Sequence, residues 1–317
     1  MTSSGNEPDC GEARSPTVSA STPTSQPAPR WGLFILYVLG LAAGFHGVLV
    51  ELYRIVTPSP LYSYIPLVPF VTLYLLYQRR QQLAVSNPAY GLAAAFVALG
   101  VGLLVAGSRL PPTAAAPDQV AVGVAALLAL LMAGIAVCFG VATLRTGFCP
   151  WLILLFAIPL PEALKGGLET LLQHASAEAA YWILAVTPVP LYRDGLTFHL
   201  PHLTLSVAPE CSGINSSWVL LMCSLIAGTL LLRSPWRRAL LVAVVVPLGV
   251  LRNAVRIVTL GLLTVYVDPR VIDSPLHHKG GPIFFALSLV VFMGILIGLW
   301  RAEWKSGKSG ERGRVVR

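Results

Sequence analysis

Eight long apolar segments follow one another along this chain, and few folds other than a membrane bundle can absorb them. They are Trp31–Val50, Leu61–Tyr77, Ala89–Gly107, Val120–Thr143, Cys149–Leu164, Ile214–Leu232, Ala239–Val265 and Pro282–Trp300. A helix of about 20 mostly apolar residues crosses a hydrocarbon core roughly 30 Å thick. The second and fifth segments are short for a crossing, and the fifth contains Pro159 and Pro161. Only 11% of the 317 residues are charged while 55% are hydrophobic, against about 25% charge in a soluble domain. That excludes a cytosolic enzyme, a disordered chain and a nucleic-acid-binding domain. The formal net charge of +8 belongs instead to loops on one side of a bilayer. The expected fold is an all-α polytopic membrane protein of about eight transmembrane helices.

Under that count, 14 of the 22 basic residues fall on one side, six on the other, and Arg252 and Arg256 inside a span. The positive-inside rule then places both termini in the cytoplasm of a multi-pass protein of the cell's inner membrane. A ninth crossing would scramble this split. Residues 1–30 are rich in Ser, Thr, Pro and Gly with no apolar run, so they are expected to be a disordered cytoplasmic tail and not a secretory signal. Residues 31–300 form the membrane domain, and 301–317 a basic cytoplasmic tail. Residues 166–187, with Glu169, His174 and Glu178, are amphipathic and read as a helix at the interface or tucked into the bundle.

The longest extramembrane segment, about Lys165 to Cys211, then faces outward. Within it, Tyr192–Val207 holds two short alternating apolar and polar runs separated by Pro201 and preceded by Asp194-Gly195. A small extracytoplasmic β-ribbon before the sixth span is expected.

Five cysteines (Cys10, Cys138, Cys149, Cys211 and Cys223) are odd in number and irregular in spacing, with no CxxC or Cys/His zinc pattern. No disulfide framework, metal or organic cofactor is indicated. Most of these thiols fit small apolar packing residues. Cys211 differs, because Ser212 and Gly213 follow it and Ile214 opens an apolar helix. Backbone N–H groups and the positive end of a helix favour a thiolate, whereas the neighbouring Glu210 opposes it. A glycine at 213 would also let backbone approach a substrate closely. A buried structural cysteine is the competing reading.

Arg252 and Arg256, four apart on one helix face with Asn253 beside them, are a stronger signal. A cation inside a span costs about 2.5–3.5 kcal/mol on insertion scales. Pairing with an acid such as Glu162 or Glu51, or snorkelling to the interface, is the structural alternative. His277 and His278 sit in a polar hinge just before the eighth segment. A thiol, a guanidinium and an imidazole are the parts of a cysteine acyl-transfer site: nucleophile, oxyanion-stabilising cation and proton carrier.

These residues stand in motifs that resemble those of the exosortase/archaeosortase family. Leu205-Ser-Val-Ala-Pro-Glu-Cys-Ser-Gly-Ile214, with Ser216 beyond it, is similar to the family's cysteine motif. Asn253-Ala-Val-Arg256-Ile257 and His277-x-x-x-Gly281 followed by Phe285 resemble its two later motifs, in the same order. The resemblance spans about residues 150–300. It implies a membrane cysteine transpeptidase that cleaves C-terminal sorting tails from exported proteins, each tail comprising a short motif, a transmembrane helix and a basic end. It implies Cys211 as nucleophile, Arg256 as the stabilising cation and His277 as general acid/base, with His278 the alternative. Arg252, Asn253, Ser212 and Gly213 would support them. A lipid or saccharide could accept the acyl group, and no nucleic acid is involved.

Two other readings stay open. Water as acceptor would make the chain a hydrolytic cysteine protease. A transporter or assembly protein for extracellular polysaccharide would use the two arginines on an anionic substrate and have no need of Cys211. The substrate motif, the acceptor and the oligomeric state are not encoded legibly.

Overall fold

The computed structural model describes residues 30–83, 85–111, 113–201, 203–207, 212–267 and 281–314. Its helices are α1 (Trp31–Gly44), α2 (His46–Val56), α3 (Leu67–Gln78), α4 (Tyr90–Ser108), α5 (Ala116–Cys138), α6 (Gly140–Thr146), α7 (Phe148–Leu154), α8 (Glu162–Ala185), α9 (Ile214–Leu231), α10 (Pro235–Tyr266) and α11 (Gly281–Arg314). Three short strands, β1 (Tyr192–Asp194), β2 (Thr197–Leu200) and β3 (Leu203–Ser206), lie between α8 and α9. The exterior carries large apolar side chains: Trp31, Leu36, Phe70, Leu73, Tyr77 and Val290 are all more than half exposed. Water would penalise such a surface and lipid does not. The chain is a multi-pass membrane protein.

Among the described residues, α4, α5, α9, α10 and the Gly281–Lys305 part of α11 are long and apolar enough to cross a membrane. Two broken pairs pass the same test together. The α1–α2 pair bends by 68°, and α6 with Phe148–Ala157 bends by 74°. Counting each pair as one span gives up to seven. An eighth crossing would rest on α3, whose 12 residues reach only about 18 Å at helical rise.

The expected fifth segment, Cys149–Leu164, is not one helix. Helical structure stops after Ala157 and α8 starts at Glu162, because Pro159 and Pro161 remove the backbone donors that a continuing helix needs. The break between α5 and α6 falls at Gly140, which takes a left-handed φ of 78° against the Ser86–Asn87 backbone.

Residues 166–185 of the amphipathic 166–187 stretch lie within α8, which is 24 residues long, ends at Ala185 and is not apolar enough to qualify as a span. Gln173, Ser176, Ala177, Ala180 and Leu184 are buried, at a spacing that makes one stripe along the helix. Ala177, Ala180 and Leu184 share a core with Ala254, Ile257 and Val258 of α10 and Phe198, Leu205 and Val207 of the ribbon region. At the start of α8, the Glu162 N–H donates to Asp118 Oδ1 at 2.6 Å, fixing it to the start of α5.

The strands pair antiparallel in the order β1-β2-β3. Tyr192 lies opposite His199, and Thr197 opposite Ser206. Gly195 turns β1 into β2 with φ 57°. The ribbon thus has a third strand beyond the two alternating runs. Phe198 and Leu200 point inward from β2 while His199 is exposed, the period-two alternation of a half-buried strand. Gln173 of α8 donates its amide N–H to the Val207 carbonyl, which holds the chain where it leaves the sheet. Arg193 donates to Glu178 at 2.6 Å, tying β1 to α8.

Candidate active site

The residues singled out on α10 occupy one side of the helix at turn spacing, starting with a close contact. A Cβ added at Gly249 would stand 2.6 Å from Ser217 Oγ of α9, so α9 and α10 approach through a small residue, as membrane helices commonly do. One turn on, Arg252 is buried at 8% exposure. Its Nη2 donates to the Gly213 carbonyl at 3.0 Å and to Ser217 Oγ at 3.4 Å. Asn253, 2% exposed, lies beside it. Arg256, a further turn along, is half-buried.

Gly213 sits at the N-cap of α9 with φ 71° and ψ 18°, a left-handed conformation that costs little only for glycine. Its carbonyl accepts from the Ser217 N–H at 3.0 Å, from Arg252, and from Ser216 Oγ at 3.3 Å. A side chain there would bring Cβ to 2.5 Å from Arg252 Nη2. The glycine is therefore required by the turn and by the arginine packed on it, a constraint separate from any substrate approach. Ser212 is 2% exposed, and its Oγ accepts from the Ile214 N–H at 3.4 Å.

A cleft of about 680 Å³ opens beside this turn. Ser212 to Ser216 and Val219 line one part of it, Arg256 another, and Gly281, Pro282 and Phe285 of α11 a third. Lys165 and Glu169 of α8 and Pro60 complete it. Cys211, His277 and His278 lie outside the described residues. Their chain neighbours do not: Ser212 directly follows Cys211, and Gly281 comes three residues after His278. Three motifs distant in sequence thus contribute adjoining segments, and in one case the arginine itself, to a single cavity. A second cavity of only about 20 Å³ separates Arg256 and Asn253 from Leu205–Val207, room for about one water.

The two acids considered as partners for the arginines are engaged elsewhere among the described residues. Glu162 bonds Lys165 at 3.1 Å and Glu51 bonds Arg54 at 2.8 Å. Arg252 and Arg256 also divide their work: Arg252 is absorbed in the α9 turn and is absent from the cleft lining, whereas Arg256 lines it. Sequence reasoning missed Lys165 and Glu169 as cleft residues. Their spacing of four on an amphipathic helix puts them on one face, but nothing in the sequence says what that face meets. Asn215 and Ser216 were likewise passed over as lining residues. Among the described residues no group of three His, Cys, Asp or Glu side chains gathers to hold a metal.

A thioester-forming site needs a nucleophile beside a cation and a proton carrier; the cleft gathers Arg256 with Ser212 and Gly281, the described residues that follow the other two candidates in sequence. The family model for transmembrane exosortase (Exosortase_EpsH) matches residues 56–294, which covers every motif named above. No curated protein and no solved structure matches the chain.

Proposed function

The chain belongs to the transmembrane exosortase family, and on that premise we propose that it is a membrane-embedded cysteine transpeptidase acting on the C-terminal sorting tails of exported proteins. The observation that carries the reading is the shared cleft, lined by Arg256, by the residue after Cys211 and by the start of α11 just beyond His277. In this reading the thiolate of Cys211 attacks the scissile carbonyl. Arg256 stabilises the oxyanion, and His277 or His278 protonates the departing amine as the C–N bond breaks. The substrate's helix and basic end leave, and a thioester remains on Cys211. An acceptor then attacks the thioester, forming the new bond as the C–S bond breaks.

The topology proposed with it has eight spans, with α3 as the short second one and each broken pair counted once. Both termini are cytoplasmic, residues 1–30 and 301–317 are the tails, and the ribbon and cleft face the extracytoplasmic side. The surplus of basic residues on the opposite face supports that orientation. Ser212, Gly213, Arg252 and Asn253 support the nucleophile's segment.

The test is co-expression with a reporter ending in a short motif, an apolar helix and a basic end. Wild type should release the tail, and Cys211→Ala and Cys211→Ser should not while still accumulating in the membrane. Product mass then reads the second half-reaction: a gain over the simply cleaved chain supports transfer, and the bare cleaved mass means hydrolysis. Processing by both Cys211 variants would rule out the mechanism. A requirement for Arg252 and Arg256 but not Cys211 would favour the polysaccharide transporter or assembly protein.

A further inference from the structure

Three charged side chains of the described residues line the cleft: Arg256, Lys165 and Glu169. They are not equivalent. Lys165 is already committed to Glu162 at 3.1 Å, and Glu162 is no part of the lining. Glu169 is half-buried and lines the cavity; it acts on Lys165, one turn before it, through space but forms no ion pair within bonding distance among the described residues. One turn before it, a Cβ added at Gly166 or Gly167 would meet nothing within 4 Å among the described residues, so that stretch of α8 carries no side chain of its own across the approach. The cleft therefore carries a guanidinium contributed by α10 and a separate carboxylate contributed by α8 that no cation of the described residues hydrogen-bonds.

That polarity fits one kind of second substrate. A carboxylate can act as a base toward water but gives it no charge to dock on, and it repels an anionic nucleophile. It attracts an ammonium by a charge-assisted hydrogen bond and can take the proton that an ammonium must lose before its nitrogen is nucleophilic. We propose that Glu169 is the acceptor-selecting residue of the cleft and that the acceptor is a primary amine, an inference that rests on the transpeptidase reading above. The ammonium docks on Glu169 and gives up one proton there. The freed amine attacks the thioester carbonyl, the C–N bond forms, the C–S bond breaks, and the second N–H proton neutralises the departing Cys211 thiolate. Ammonium and thioester yield amide, thiol and one proton, which returns to solvent from Glu169. A lipid headgroup amine and an amino sugar share this chemistry.

The test uses the full-length protein in phosphatidylcholine proteoliposomes with the tailed reporter and two competing soluble nucleophiles. Dansylcadaverine carries an ammonium near neutral pH and hydroxylamine does not. In Glu169→Gln the ratio of dansylcadaverine adduct to hydroxylamine adduct should fall about tenfold, the worth of one charge-assisted hydrogen bond, through a raised KM for dansylcadaverine. Glu169→Asp should recover part of the ratio. Because both adducts come from the same thioester, a variant that folds less well lowers both and leaves the ratio readable. A ratio equal to wild type, or a loss of both adducts in proportion, overturns the assignment. Adding phosphatidylethanolamine to the vesicles, or glucosamine to the solution, tells a lipid amine from a saccharide amine by the mass gained. If wild type does not cleave the reporter, or Cys211→Ala does, the transpeptidase reading itself fails. If wild type cleaves through Cys211 and the ratio is insensitive to residue 169, only the role of Glu169 is lost.

Discussion

Arg252 Nη2 lies 3.0 Å from the carbonyl oxygen of Gly213, joining the middle of α10 to the turn that starts α9. The guanidinium is buried, so removing it opens space between α9 and α10 and takes one of three donors from the half-buried Gly213 carbonyl. Arg252→Ala should cost about 1–3 kcal/mol, seen as a lower midpoint of thermal unfolding in detergent. Gly213→Ala should fail in the same direction, since it combines a left-handed φ with a contact on that guanidinium. If Arg252→Ala unfolds like wild type, the bond contributes nothing to holding the turn.

Arg256 should behave oppositely. It lines the cleft, and loss of an oxyanion donor costs about 10²–10³ in turnover. Arg256→Lys should lower the rate of reporter cleavage on that scale while its unfolding midpoint stays closer to wild type than that of Arg252→Ala. Equal rates for Arg256→Lys and wild type would remove Arg256 from the chemistry.

The approach of Gly249 to Ser217 makes a packing prediction. Gly249→Ala inserts a methyl 2.6 Å from Ser217 Oγ, and such overpacking costs about 1–3 kcal/mol. Ser217→Ala deletes that oxygen, so the double variant should be more stable than the two single effects added together. Strict additivity in this double-mutant cycle would show that the two residues do not meet.

Arg193 sets a pH dependence at the ribbon. Its hydrogen bond to Glu178 holds that carboxyl below its ordinary value of 4.5. A depressed folded value means the ion pair stabilises fully above about 4.5 and loses its effect as pH falls through the lower folded value. The difference in unfolding midpoint between wild type and Glu178→Gln should therefore be present near neutral pH and shrink in acid. The pair is exposed on the Glu178 side, so the difference should be small and weaken with salt. A gap that widens in acid would reverse the sign and overturn the assignment.

Much of the architecture was legible because the bilayer imposes one-dimensional rules. The apolar runs around α4, α5, α9, α10 and α11 are long enough that periodicity and length agree, and the polar residues of α8 mark it as something other than a span. The breaks were less legible. The α1–α2 bend falls at Phe45, directly after Gly44, and the α5–α6 break at Gly140, but each glycine is one among 28; the left-handed φ of Gly140 goes with the chain it packs on. The three residues of β1 are too few to show an alternation. In the site, the arginines stood out because burying a cation is costly, and the structure separates their roles by what each touches. Lys165 and Glu169 were invisible as cleft residues because ordinary charges on an amphipathic helix acquire meaning only from the neighbouring helices.

The length of α10 has a consequence for the lipid around it. Its 32 residues extend about 48 Å, well beyond a hydrocarbon layer of about 30 Å, and Arg256 lies ten residues, or about 15 Å, from the Tyr266 end. Gly249 and Arg252 tie this helix to α9, so the pair meets a thickness mismatch together, by tilt or by deforming the bilayer. In the orientation proposed above, bilayers of longer acyl chains would bring oil up to the level of the guanidinium and thinner ones would leave it in the headgroup layer, so membrane thickness would set how wet the cleft is.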